Sequence, residues 1–427
     1  MMAAKISAFP RKRTTGVLIL VAVLVLILFA GDSAGAAPKH IRQKRSSKTL
    51  RMMARLYMAC GDYDKARPLA EQGLRLARKK PDSDSELCSC MLDLAYLYTN
   101  QGDLDDAEAM CKQGLELQKK IYYEWHPYIA YALRILSDIY QGQGKYSQAA
   151  DALDQAMSIM LKSHLPNEAA LAPFRVDMAG VLVKQGNLAA AESCYQQALE
   201  LINNSYGPEH LYTARVLGRL AKLYVLQKKY AEARPLIDRT LALQEKVYGK
   251  NHHFLAPARL VMARICQADG QYDKAEQLLK ISLASLGSKQ DSTNPLAGEL
   301  LNALAELYTA SGRYSKAEQA CQSALKITAK RFGPDSDNTA MVLNNMARLY
   351  IKQEKYAEAE NLCTKALTTL ENLFDDNHPC VAEVLETMVQ LQQRVGNTAE
   401  AAKLEARIEQ IRELRKVAYE PVAKAVN

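Results

Sequence analysis

A chain of 427 residues, 48% hydrophobic and 24% charged, is long enough for several ordinary domains or for one array that grows by repetition. Its net charge of +8 sits at one end: residues 1–50 carry nine Lys and Arg against the single acid Asp32, and subtracting these from the totals of 55 and 47 leaves 46 bases and 46 acids beyond residue 50. A neutral body excludes the broad basic footprint of a nucleic-acid binder.

The first element in chain order is a leader. Lys5, Arg11, Lys12 and Arg13 precede the apolar run Val17–Ala30, and the small residues Ser33, Ala34, Gly35, Ala36 and Ala37 follow it. The run is 14 residues long, short of the roughly 20 that a spanning helix needs and in the range of a signal-peptide core. Ala34-Gly35-Ala36 has the small-x-small form of a cleavage site, whereas the basic cluster Lys39–Lys48 just after it favours an uncleaved anchor. Residues 1–37 are therefore expected to be a signal peptide or an N-terminal membrane anchor, and 38–48 a basic linker. Everything after them is expected outside the cytoplasm, periplasmic or secreted, or tethered to a membrane by the leader alone.

From residue 49 onward the chain repeats. The pattern Gly-x-(Tyr/Leu)-x-x-Ala starts at Gly61, Gly102, Gly144, Gly186, Gly270, Gly312 and Gly396, with Lys228 and Glu354 replacing glycine in two more copies. The step is 41 residues once and then 42 seven times. A fixed period of this length means stacked supersecondary units. Leu300, Leu304, Leu307 and Tyr308 share one face of a helix before the turn, and Ala317, Ala320, Cys321, Ala324 and Leu325 share one face of a helix after it. Ala305 and its counterparts let the first helix approach closely, as Ala324 and its counterparts do on the second; larger side chains there would cost about 1–3 kcal/mol each. The turn glycine ends the first helix with a positive φ, so Lys228 and Glu354 predict a strained or altered turn. Nine repeats are expected over 49–416. The ninth is a degraded cap, with Val389, Thr398 and Ile408 at positions that elsewhere are small or aromatic, and 417–427 is a tail.

Nine cysteines follow the repeat rather than a disulfide framework, and Cys111, Cys194, Cys321 and Cys363 fall on inward helical positions. His126, His210, His252 and His378 are separated by 84, 42 and 126 residues, all multiples of the period. They are strung along the array, which suits junction packing or capping and not a metal site. No phosphate-binding glycine loop, nucleophile elbow or zinc-protease motif occurs. The reading is a chain that is not an enzyme and needs no cofactor or metal.

The small-xxx-hydrophobic helix, the Gly-x-Tyr turn and the alanine after it resemble the tetratricopeptide repeat. The 42-residue period, the junctions Tyr206-Gly207-Pro208-Glu209-His210, Tyr248-Gly249-Lys250-Asn251-His252 and Phe374-Asp375-Asp376-Asn377-His378-Pro379, and the run Leu343-Asn344-Asn345-Met346-Ala347 are similar to the kinesin-light-chain subtype. The resemblance implies an all-α, right-handed solenoid of about nine helix-turn-helix repeats that binds a protein or peptide in its concave groove. It places the inner wall on the first helix, with accessible positions ten and six residues before each turn. The cations there and one turn earlier, Arg134, Arg215, Lys222, Arg264 and Arg348, suit an acidic partner. Glu299, Glu306, Glu383 and Glu386 make the last stretch more acidic. Asn302 and Asn344 map to the asparagines that hold an extended peptide backbone, since an amide both donates and accepts. The alternatives are an envelope module that binds glycan or lipid through tyrosines such as Tyr96 and Tyr131, or the repeat arm of a complex whose enzyme is another chain.

Overall fold

In the computed structural model the described residues are 46–59, 63–80, 83–163, 168–286, 294–374 and 378–425. The leader, the linker up to residue 45 and the first turn glycine, Gly61, lie outside them. Eighteen α-helices alternate along the described chain as nine hairpins. The first helix of each hairpin, helix A, is α1 (Ser47–Ala59), α3 (Asp84–Gln101), α5 (Pro127–Gly142), α7 (Ala172–Lys184), α9 (Leu211–Leu226), α11 (Ala256–Ala268), α13 (Pro295–Ala310), α15 (Asp337–Lys352) or α17 (Pro379–Val395). The second, helix B, is α2 (Tyr63–Arg78), α4 (Leu104–Ile121), α6 (Tyr146–Lys162), α8 (Leu188–Tyr206), α10 (Tyr230–Tyr248), α12 (Tyr272–Ser285), α14 (Tyr314–Phe332), α16 (Tyr356–Leu373) or α18 (Thr398–Ala425). The last helix continues through 417–425, the segment expected to be a tail.

Each described turn within a hairpin uses one backbone motif. In the seventh repeat Gly312 adopts φ 73°, Arg313 N donates to Tyr308 O at 2.8 Å and Gly312 N to Thr309 O at 3.2 Å. This is a Schellman cap, which satisfies the last carbonyls of helix A. Lys228 and Glu354 occupy the same conformation at φ 60° and 63°, and Lys229 N and Lys355 N make the same bonds to Tyr224 O and Tyr350 O at 2.8 and 3.0 Å. The turn is therefore unaltered, and the strain rests on those two side-chain-bearing residues.

Close approach of the two helices follows from the small side chains. The alanine five residues past the turn is fully buried in Ala66, Ala107, Ala149, Ala191, Ala233, Ala275, Ala317 and Ala359, and nearly so in Ala401. Where the second small position is Thr240 or Ser282, the hydroxyl bonds back to Leu236 O or Leu278 O one turn earlier, so no polar atom is stranded. The buried apolar residues form four clusters along the array, joined through partly buried side chains such as Tyr224, Leu236, Tyr350 and Leu362. Leu404, Ile408 and Ile411 of α18 close its far end. The seven described cysteines on these inward faces are buried free thiols, and Cys380 is half-buried. Burial pushes Cys111, Cys321 and Cys363 up to about 12, so they pack as hydrophobes.

Two polar devices recur between repeats. His126, His210, His252 and His378 each accept, at Nδ1, the backbone N–H two residues on, from Tyr128, Tyr212, Phe254 and Cys380. Each imidazole stacks on the aromatic ring four residues before it: Tyr122, Tyr206, Tyr248 or Phe374. Capping at the junction is thus what these histidines do. The second device is a staple. Tyr224, Tyr308 and Tyr350 near the end of helix A donate to Glu192, Glu276 and Glu318 on the preceding helix B.

Besides these neighbour contacts the array meets itself again about five repeats on. Arg331 at the end of α14 donates to Thr99 O in α3, Lys184 at the end of α7 pairs with Asp337 at the start of α15, and Phe374 packs on Tyr146. The last helix, α18, also touches α8. Among the described residues no helix is long and apolar enough to cross a membrane.

Candidate functional site

Helix A packs on the next helix A through repeats 1–3 and again through repeats 5–9, so the A helices form one continuous wall on each side of repeat 4. Side chains six residues before the turn reach the open side of that wall. Arg55, Tyr96, Lys222 and Gln390 are exposed, and Asp138, Arg264, Glu306 and Arg348 are half-buried. The expectation for the position ten before the turn is corrected. Val176, Leu260 and Asn344 are buried there, and the others are at most half-exposed. The reason is rotation about the helix axis. That position faces the repeat's own helix B, where Leu92 lies 3.4 Å from the Cβ position of Gly114, and a Cβ at Gly218 would lie 3.3 Å from Thr240.

Asn344, expected to hold a peptide, is therefore 0% exposed, and neither its Oδ1 nor its Nδ2 has a partner among the described residues. Asn302 is half-buried and engaged at both ends. Its Nδ2 donates to Glu306 at 3.2 Å, and its Oδ1 accepts from Asn345 Nδ2 at 3.0 Å.

Four of the five expected wall cations have internal partners. Arg134 binds Asp177 of the next helix A and lies over the Phe174 ring. Lys222 Nζ is 3.5 Å from Glu299, and Arg264 Nη2 is 3.9 Å from Glu306. Arg348 donates to Thr387 at 3.0 Å and Asn345 at 3.3 Å, and its Nη1 is 3.3 Å from Glu383. Desolvation would raise the Glu299 carboxyl, but Lys222, Arg264 and Lys184 outweigh it and hold it below the usual carboxylate range. The basic middle and the acidic end of the wall thus largely neutralise each other.

Arg215 is the exception. It is exposed and makes no ion pair or hydrogen bond among the described residues, and the same holds for Arg219 one helical turn on. Opposite them, desolvation and the Asp177 charge push the Asp138 carboxyl up to about 7, against the pull of Arg134, Arg219 and Arg215. Arg219 escaped the sequence reading, as did Asp93, Asp177, Asn345 and Thr387. All five lie nine residues before their turns, one residue along from the row that the resemblance selected. Their polarity on an otherwise apolar helix was the available signal. Among the described residues no three His, Cys, Asp or Glu side chains converge as metal ligands would.

A wall of A helices backed by B helices, with the same cap at each described turn, defines a helical-hairpin repeat solenoid. The tetratricopeptide-repeat family model matches residues 45–120, 87–162, 171–237, 218–286, 296–367 and 339–413, and the chain belongs to the tetratricopeptide-repeat family. Among solved structures it is similar to a Rap protein complexed with Competence and Sporulation Factor. That likeness has 15% identity over 87% of this chain and 98% of that one, with a TM-score of 0.61. It is also similar to the apo form of RapI, with 13% identity over 66% and 98% of the two chains and a TM-score of 0.52. A third likeness is to BtubC (BKLC) from P. vanneervenii, with 18% identity over 53% and 91% and a TM-score of 0.43. No curated protein matches the sequence.

Proposed function

We propose that this chain is a non-enzymatic protein-interaction scaffold whose inner wall takes an extended, acidic segment of a protein partner, exported or tethered through its N-terminal apolar run. One observation carries the reading: Arg215 and Arg219 are exposed on the wall and make no ion pair among the described residues, Asp138 acting on them only at longer range, whereas Arg134, Lys222, Arg264 and Arg348 already have partners. An incoming carboxylate gains most where no internal acid must first be displaced. The Rap structure was solved with a factor bound, but that likeness extends to the fold, and the partner's chemistry is read from this wall.

The test is fluorescence anisotropy of a labelled oligoglutamate peptide against full-length protein. Arg215→Glu with Arg219→Glu is expected to weaken binding about a hundredfold, on the scale of two charge-assisted contacts. Lys222→Glu should have a smaller effect because Glu299 already occupies that cation. Equal binding by wild type and the Arg215/Arg219 variant would overturn the reading. For the leader, fractionation of tagged protein from the native host is expected to place the array outside the cytoplasm. Recovery in the cytosol with residues 1–37 intact would overturn that part.

A further inference from the structure

In a solenoid each repeat ordinarily touches only its neighbours, yet here repeats 2–4 meet repeats 7–9 along a seam. On one rim lie Thr99 and Gly102, Tyr146, and Lys184. On the other lie Arg331, Asp337, Phe374 and His378. Lys184 Nζ is 2.8 Å from Asp337 Oδ2, Arg331 Nη2 donates to Thr99 O at 3.3 Å, and the Tyr146 and Phe374 rings are 5.5 Å apart. Because His378 Nδ1 accepts from Cys380 N, its Nε2 carries the proton and donates to Lys184 O.

The residues that make this seam are not those the repeat itself requires. Two positions before the turn, where Lys184 stands, other copies have Ala59, Asn100, Gly142, Leu226, Ala268 or Ala310, and a base only in Lys352 and Arg394. Seventeen positions before the turn, where Asp337 stands, other copies have Ser85, Pro127, Ala169, Leu211, His253, Pro295 or Pro379. Tyr146 occupies a position that is tyrosine in several repeats, but it is 8% exposed, whereas its counterpart Tyr272 is 36% exposed. The Phe374 ring, 5.5 Å away, and Lys184 and Asp337 beside the phenol lie against Tyr146. Phe374 also packs against the cores of both ends, that of repeats 1–5 and that of repeats 8–9.

Consecutive helices share large apolar clusters, whereas the described contacts between the rims are mainly polar: an ion pair, two bonds to backbone carbonyls and a ring contact, with α18 also touching α8. Lys184 remains 46% exposed while Asp337 is 16% exposed, so salt reaches the pair from the lysine side. Lys184 also acts on Glu299 together with the wall cation Lys222, which ties the seam to the wall.

We propose that the seam is a clasp that holds the inner wall closed and releases as a unit to admit the partner to the face carrying Arg215 and Arg219. The admission step rests on the wall being the partner site; the opening itself does not. A contact of few bonds between two well-packed halves has two discrete states, and a ligand that needs the open one binds with its affinity scaled by the open fraction.

The test uses full-length protein with a donor–acceptor dye pair on unnatural amino acids at Ser147 and Asp335, exposed positions on the two rims. Wild type is expected to give high energy transfer. Lys184→Asp alone and Asp337→Lys alone should each lower it, and the double swap should restore it, with far-UV helicity constant throughout. Should a single reversal lose helicity, wild type in about 1 M salt, where the screening length falls to about 3 Å, is expected to show the same loss of transfer. Transfer that is unmoved by both the reversals and salt, or that is not restored by the swap, overturns the clasp. Oligoglutamate should associate about tenfold faster with Asp337→Lys if the open fraction limits binding. An unchanged rate beside a lowered transfer overturns the admission step. Absence of oligoglutamate binding to every variant overturns the wall reading instead, and the clasp then stands or falls on the transfer alone.

Discussion

Gly102 is where the repeat's own geometry and the seam meet, and substituting it separates the two. Gly102→Ala forces a Cβ onto a residue at φ 92°, and Gly312→Ala does the same at φ 73°. Both lose about 1 kcal/mol to left-handed strain. Nothing lies within 4 Å of the Cβ position at Gly312, whereas at Gly102 the Arg331 carbonyl oxygen is 3.0 Å away. That oxygen belongs to backbone 229 residues later in the chain and cannot swing aside like the end of a side chain. Relieving the overlap means backing α14 away from α3, which also breaks the Arg331–Thr99 bond. An overpacked contact of this kind costs about 1–3 kcal/mol, so Gly102→Ala is expected to lose about 2–4 kcal/mol in total. Urea unfolding followed by circular dichroism, with both variants beside wild type, measures the difference. If the two glycines lose equal stability within about 0.5 kcal/mol, the Arg331 contact does not hold the rims together and the argument fails.

Relief of strain is expected in the opposite sense at the two non-glycine turns. Lys228→Gly and Glu354→Gly should each raise stability by about 0.5–1 kcal/mol, read as an increased denaturation midpoint at unchanged slope. Asp138 supplies a pH dependence. Its folded pKa of about 7 lies above the ordinary aspartate value of 3.8, so the stability its bound proton contributes is full below 3.8 and is lost as pH rises through 7. Asp138→Asn should flatten that slope and gain about 2 kcal/mol at pH 8, half the ceiling that the shift allows; an unchanged slope in thermal melts counts against it. Glu276 behaves the other way. Its hydrogen bond from Lys280 leads, desolvation opposes it, and bonds from Arg313 and Tyr308 help hold it at about 2. Its contribution is present above 4.5 and lost as pH falls towards 2. Glu276→Gln should therefore destabilise the array at neutral pH by at most about 1 kcal/mol, since its partners reach solvent, and should not do so at pH 2.

Much of this molecule is legible residue by residue in its sequence. The turn, the buried alanines, the inward cysteines and the four capping histidines all depend on side chains within one 42-residue copy and its neighbour. Those contacts recur at every step, so the pattern announces them. The wall was legible only in part. The row six residues before the turn is accessible, while the row ten before it turns towards helix B and takes Asn344 with it. A single residue of helical phase, about 100° of rotation, separates Asn344 from Asn345 and decides which of them meets the neighbouring helix A.

What the sequence alone settles is the local grammar: an all-helical array, its period, its caps, and a body without excess charge. What only the tertiary structure decides is which charges are spent internally and which stay free. Lys222 finds Glu299 two repeats away, and Lys184 finds Asp337 a further 153 residues along. Such partners depend on the small rotation between successive repeats, accumulated over several of them. No single copy encodes that sum. Arg215 and Arg219 are left without an ion pair among the described residues for the same reason: their surroundings are set by where distant repeats arrive, and not by the residues beside them in the chain.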